Sequence, residues 1–435
     1  MSTVANGTRV TRLPEFRLLW GSQSLSMLGT SVSRTALPLI AVTTLAVSPL
    51  QMGLLQAALG LSYLVLGLPA GAWIDRMRRR PVLIVCDLSR AVLMVTLACA
   101  ALLGHLTFPV LLLVALLLGA ARTFYEIAYQ AYIPAVVGRD RLVEGNSKLE
   151  STNSASQMAG PAAAGALAQV GAAAAVSAQA VSYLASFLLL LRIRKPEAEP
   201  PRKPTAHLCD EIKNGLSFVL KNPLIRAVVG SAATFNFFYA VQAPLILLLL
   251  IHHVGLSGAA AGAFMTVGGV GGVLGAIWAG TLAGRLGQVR IIWLAYLTTI
   301  PMVLLIPLAG PGWRMLFFVV PWFAAAFGLV VYNVAQVSFR QAMCPDHLLG
   351  RMNASVRFLI WGIIPVGGVV GGVLGEWLGV RGALLIAGTG MTSGALWLIC
   401  SRLRRVRDIP LVRHEAEAPV AGHASEESQK LSDTG

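Results

Sequence analysis

The chain has 435 residues, 56% of them apolar and 12% charged, with a mean hydropathy of +0.71. That composition lies outside the range of soluble domains and excludes a water-soluble enzyme. The net charge is +15, but the cations cluster between apolar stretches, as in membrane proteins, so the charge does not point to nucleic acid as a partner.

In chain order, the apolar runs predict spans near 18–46, 51–73, 82–103, 109–131, 149–169 and 173–191. The first sixteen residues are polar. The run after them is too long, and lacks the small-residue cleavage site, for a removable signal. The stretch 192–222 is rich in Pro and charge, and its part Leu208 to Leu220 has the apolar spacing of a helix lying on a membrane surface. A second set of spans follows near 224–250, 258–283, 290–309, 315–337, 354–375 and 380–400. At about 20 residues per crossing these make twelve transmembrane helices, an all-α integral membrane protein. The predicted organisation is a six-helix half over 1–191, a linker over 192–222, a second six-helix half over 223–402 and a disordered tail over 403–435.

Lys and Arg fix the orientation. The connections after spans two, four, six, eight and ten are rich in them, eight falling between Arg192 and Arg226, whereas the opposite connections hold only Arg314 and Arg381. Both termini are therefore expected in the cytoplasm.

The halves repeat each other. Gly71-Ala-Trp-Ile-Asp75-Arg76-Met-Arg-Arg79-Arg80 recurs as Gly280-Thr-Leu-Ala-Gly284-Arg285-Leu-Gly287, displaced by 209 positions. Gly138-Arg-Asp140-Arg-Leu142 recurs as Cys344-Pro-Asp346-His-Leu348, displaced by 206, and Pro161 recurs as Pro365, displaced by 204. Three marks on one period point to a duplicated bundle with a cavity at its interface.

On these residues the sequence resembles the major facilitator superfamily. The loop Gly71 to Pro81 is similar to that family's signature G-x-x-x-D-R-x-G-R-R, with Arg78 in place of its second Gly. The segment Gly160-Pro161-Ala-Ala-Ala-Gly165 is similar to the family's antiporter motif. Phe16-Arg17-Leu18-Leu19-Trp20-Gly21, Leu28-Gly29 and Ala36-Leu37-Pro38-Leu39 resemble the branch that contains the enterobactin exporter and macrolide efflux proteins; Thr30 stands where that branch often has an acid. The resemblance implies alternating access, with a cytoplasmic latch built from Gly71, Asp75, Arg76, Arg79 and Arg80. Without the resemblance, the arginines of that loop read as positive-inside anchors.

Charged residues inside spans mark function because they are costly there. At about 1.5 Å per residue, Asp87, Arg90, Arg122 and Glu126 fall at one depth near the cytoplasmic edge, with Arg122 and Glu126 at the i, i+4 spacing of one helix face. Two readings stand: a static ion-pair network, or a gate in which Glu126 takes up a proton and releases Arg122. Arg34 sits about 21 Å into span one, beyond reach of those acids, and either lines a cavity or snorkels. Tyr63, Gln157, Asn236, Tyr239, Gln242 and Trp361 are the other mid-depth polar or aromatic positions, a cavity set as a group and packing residues taken singly. Gly160, Pro161, Gly165 and Pro365 are expected to bend or hinge their helices.

No phosphate loop, H-E-x-x-H pattern, G-x-G-x-x-G turn or paired cysteine spacing occurs, so no cofactor, metal, ATP site or catalytic activity is expected. The duplication and charge map predict a secondary transporter. The resemblance implies a monomer in a bacterial plasma membrane and a proton-coupled exporter of a small amphipathic compound such as a drug, siderophore or secondary metabolite. Uptake by the same architecture and a non-transporting receptor or scaffold are the alternatives.

Overall fold

The computed structural model describes residues 10–74, 76–138, 141–194, 197, 216–344 and 349–408. Of the predicted surface helix, 208–215 lies outside the described residues and 216–221 is helical. Asp75, Arg139, Asp140, Asp346 and the tail beyond 408 also lie outside them.

Among the described residues there is no strand. The first half comprises α1 (Pro14–Thr43), α2 (Pro49–Ile74), α3 (Arg79–Leu102), α4 (Phe108–Val137), α5 (Leu142–Val170) and α6 (Ala172–Arg192). The second comprises α7 (Pro223–Leu248), α8 (Gly258–Leu286), α9 (Arg290–Thr299), α10 (Leu316–Met343), α11 (Leu349–Trp361) and α12 (Ile364–Ile399). In lipid a backbone must satisfy its polar groups internally, and apolar helices do so. Their starts use ordinary caps. Asn222 accepts the amides of Leu224 and Ile225 at 3.1 and 3.2 Å, Ser257 accepts that of Ala260 at 3.3 Å, and prolines occupy the first turn of α1, α4 and α7.

Ten of these segments are long and apolar enough to cross a membrane. Two features reconcile ten with twelve crossings. The segment Phe358–Ile399 contains two passes, because Gly379 at φ 72° breaks the helical path, a conformation that favours glycine. The passes run antiparallel: a Cβ on Gly371 would meet the Val241 backbone, and one on Gly390, nineteen residues later, would meet Phe238, a turn away on the same helix. The twelfth is α5, whose first turns carry Glu144, Lys148, Glu150 and Asn153. That helix is shielded by packing between α1 and α8, not by its own hydropathy. The remaining departure is span nine, where the α-helix ends at Thr299 and continues as a 3-10 helix over Ile300–Leu308, with prolines at 301 and 307 removing amide donors.

Pairings recur between halves. Helix α2 packs on α4 as α8 packs on α10, and α1 packs on α5 as α7 packs on α12. The halves meet along two seams related in the same way, α5 against α8 and α2 against α12. Both seams are lined by the Gly-Pro segments. A Cβ on Gly262 would lie 2.5 Å from the Pro161 carbonyl, and one on Gly53 would lie 2.5 Å from the Gly368 carbonyl and 2.8 Å from Gly372 Cα. Backbones approach this closely only where side chains are absent.

The seams do not stay closed along their length. Gly165 touches Gly258 and Ala259, and Pro49 touches Gly375, at the end bearing the α1–α2 connection. Toward the linker end, Gly71, Gly280 and Gly284 have no atom within 4 Å of a Cβ position. Apolar packing follows the same gradient. One buried cluster joins Leu39, Met52 and Ala164 to Leu245 and Ala261 at the closed end, while toward the linker end the first half keeps a separate cluster around Phe16, Leu83 and Tyr132. The halves thus form a wedge, sealed at one end and parted at the other.

Candidate functional site

The wedge encloses a cavity of about 750 Å³, within the size range of small-molecule sites. All seven positions singled out as a cavity set line it: Arg34, Tyr63, Gln157, Asn236, Tyr239, Gln242 and Trp361. The Tyr63 and Trp361 rings stand 5.1 Å apart across the α2–α11 contact, and Tyr239 stacks on Phe235 at 5.8 Å. Two of the polar members also serve packing: Asn236 Nδ2 donates to the Ala232 carbonyl at 2.8 Å, and Gln157 Nε2 donates to Asn153 Oδ1 at 3.3 Å.

The four charged residues of α3 and α4 divide into two pairs in different surroundings. Arg90 donates to Asp87 inside the first half, where the acid is wholly buried and also accepts from Ser186 Oγ at 2.5 Å. The Arg90 guanidinium lies over the rings of Tyr125 and Tyr183, at 4.0 and 4.7 Å, a cation–π clamp from two helices. Ser186 continues to Ser22 at 2.8 Å, and Tyr125 donates to Gln23 at 2.8 Å, so this network ties α1, α3, α4 and α6 together. The second pair, Arg122 Nε to Glu126 Oε1 at 2.7 Å, faces the cavity with side chains 29% and 34% exposed. Of the two acids, only Glu126 lines the cavity.

In the loop after α2, described residues tie the first half to itself. Glu197 accepts the backbone amides of Arg79 at 2.9 Å and Arg80 at 3.1 Å and pairs with the Arg79 guanidinium at 3.5 Å, while Arg80 donates to the carbonyls of Leu190 and Leu191. A carboxylate at a helix N-terminus satisfies its free amides. Arg76 is exposed and Gly71 is unencumbered. Glu197→Ala is expected to loosen the start of α3 by about 0.5–2 kcal/mol, seen as faster amide exchange at Arg79, Arg80 and Val82 with the rest of α3 unchanged. At the closed end one hydrogen bond crosses between halves, from the Leu50 amide to Glu376 Oε2 at 3.4 Å.

Of the hinge residues, Gly160 is held against Ser31 of α1, Pro161 and Gly165 lie on the α8 seam, and Pro365 opens α12 just after the helical path breaks at Gly362 and Ile363. Helix α5 itself is continuous through Pro161.

Sequence reasoning missed one face of α10. Asn333, Gln336 and Arg340 follow one another at i, i+3 and i+7 and all line the cavity. Arg340 was counted with the connection after span ten, yet it lies inside the helix and is only 6% exposed. The polar stripe at helical spacing was the signal.

Among the described residues, twelve helices in two like halves around a cavity, with glycine seams between them, have the architecture of a transporter of the major facilitator class, a multi-pass membrane protein. The chain belongs to the transmembrane secretion effector family of that superfamily, whose profile matches residues 10–428. It is 28% identical over 396 residues to the MFS-type transporter YfiS of Bacillus subtilis strain 168, covering 85% of this chain and 89% of that one. It is 26% identical over 415 residues to the enterobactin exporter EntS of Escherichia coli O1:K1, covering 91% and 94%. A crystal structure of the nucleoside transporter NupG, in a mutant form, superimposes with TM-score 0.74 at 11% identity, over 89% of this chain and 99% of that chain. A bacterial homologue of the lysosomal transporter Spinster, inward-facing and unoccupied, gives 0.62 at 17%, over 91% and 96%. The two solved structures bear on the fold alone.

Proposed function

We propose that this protein exports a small amphipathic organic compound from the cytoplasm in exchange for protons, by alternating access between its two halves. The observation that carries the proton step is the Arg122–Glu126 pair: a carboxylate open to cavity water and held by an arginine of its own helix. Protonation of Glu126 neutralises it and frees Arg122, so the two states of the pair favour different arrangements of the cavity wall. The printed activity of the EntS relatives and the family's description support the outward direction. With both termini cytoplasmic, the reading that the Lys and Arg asymmetry supports, the parted end of the wedge faces the cytoplasm and admits substrate from there. The loop from Gly71 to Arg80, with Asp75, then serves as the latch when that end closes.

Reconstituted protein with an imposed pH gradient tests this. Wild type is expected to move a fluorescent amphipathic substrate against the proton gradient. Glu126→Gln is expected to lose gradient-driven accumulation, at least tenfold, while retaining exchange down a substrate gradient. Equal wild-type flux with and without the pH gradient would remove the proton coupling.

A further inference from the structure

Charge in the cavity is lopsided. Among the described residues, Arg34, Arg90, Arg122 and Arg340 line it, against the single carboxylate Glu126. Arg90 is matched by Asp87 and Arg122 by Glu126. Neither Arg34 nor Arg340 makes an ion pair with a described residue, and Arg340 Nε and Nη1 are buried without a hydrogen-bond partner. Arg340 does sit in the last turn of α10, where the helix dipole stabilises a cation by about 0.3–1 kcal/mol. Removing an unpaired charge from water costs several kcal/mol, so the dipole accounts for a small part of it. The pair is also spread along the transport path. Arg340 lies three residues before the linker-side end of α10, and Arg34 lies nine residues before the sealed end of α1, exposed to the cavity. One belongs to each half.

We infer that the transported compound is an organic anion, whose acidic group meets Arg340 near the parted mouth and is held by Arg34 at the deep end. This rests on the transport reading above and adds the charge of the substrate to it. A guanidinium that loses its water to a neutral ligand is left unpaired, whereas an anion restores a charge-assisted hydrogen bond. An organic cation meets the opposite situation: the one described lining carboxylate is already paired with Arg122, and two guanidiniums that make no ion pair with a described residue repel it. Passage of the anion from an arginine of the second half to one of the first also links loading to closure of the halves.

Trp322 and Trp361 line the cavity and serve as energy donors to a bound dansyl group. The test uses the full-length protein in lipid nanodiscs, with empty nanodiscs as blank, titrated with three probes of one shape: dansylglycine (an anion), dansylglycinamide (neutral) and dansylethylenediamine (a cation). Dansylglycine is expected to bind at least tenfold more tightly than the amide, and the amine most weakly. Arg34→Gln and Arg340→Gln should each erase most of that preference while leaving affinity for the amide unchanged, which also shows that the variants are folded. Arg34→Lys and Arg340→Lys should retain it. The inference is overturned if the amide or the amine binds as tightly as the acid, if none of the three binds, or if both Gln variants keep the wild-type preference. Flux separates this from the transport reading. A preference for the acid with flux indifferent to the pH gradient would uphold the anion assignment and refute proton coupling, and gradient-driven flux of the amine without preference for the acid would do the reverse.

Discussion

A leucine placed at Gly53 or Gly262 is expected to push the halves apart at the end where they now touch. Either side chain would be built into the backbone of the opposite half, where a Cβ alone comes within 2.5 Å of the Gly368 or Pro161 carbonyl. A carbonyl in a packed helix cannot swing away as the tip of a lysine can. Overpacking of this kind costs about 1–3 kcal/mol, and the cost falls only on the conformation in which the seam is shut. The balance between conformations should therefore move by about 5- to 150-fold toward the one open at that end. Spin labels at Leu103 and Trp313, both exposed near that end of opposite halves, should report a longer distance in either leucine variant, together with slowed transport. Leucine at Gly280, which has open space around it, should not lengthen that distance. An unaltered distance distribution in all three variants would contradict the assignment of these seams as the moving contacts.

Asp87→Asn is expected to be the most destabilising single substitution in the first half. It leaves Arg90, 2% exposed, without its counter-ion between the rings of Tyr125 and Tyr183. Removing one partner of a buried pair costs about 3–5 kcal/mol, because the other charge remains in a low dielectric. The midpoint of thermal unfolding in detergent should fall accordingly, and Asp87→Asn combined with Arg90→Met should recover most of the loss, since neither charge is then stranded. This result would make the pair a structural tie and leave coupling to the Arg122–Glu126 pair. If Asp87→Asn instead kept wild-type stability but lost gradient-driven flux, Asp87 would be the coupling acid.

Much of this arrangement was legible in the chain. The period that relates Pro161 to Pro365 placed both prolines on equivalent seams, because a repeat copied in sequence must be copied in packing. Mid-depth polar residues such as Gln157, Tyr239 and Gln242 line the cavity for a physical reason: a side chain too polar for lipid and too deep for the surface has little else to face. Two things were harder to read. Depth alone put Asp87, Arg90, Arg122 and Glu126 in one cluster, but depth carries no azimuth, and the helix faces separate them into a buried pair and a wetted pair. Arg340 was missed because a cation near a span end reads as a loop anchor; its burial depends on how α10 packs against α7 and α8, which no local window contains.

The central claim is that one cavity opens in turn to the two sides of the membrane. Tyr239→Cys, introduced after replacing the five native cysteines, puts a single thiol on the cavity wall. A membrane-impermeant maleimide should label it in sealed vesicles of either orientation, faster from the linker side in the wild-type seam and faster from the opposite side once Gly53→Leu is added. Labelling from the linker side alone, with no response to Gly53→Leu, would show a pit that never turns over.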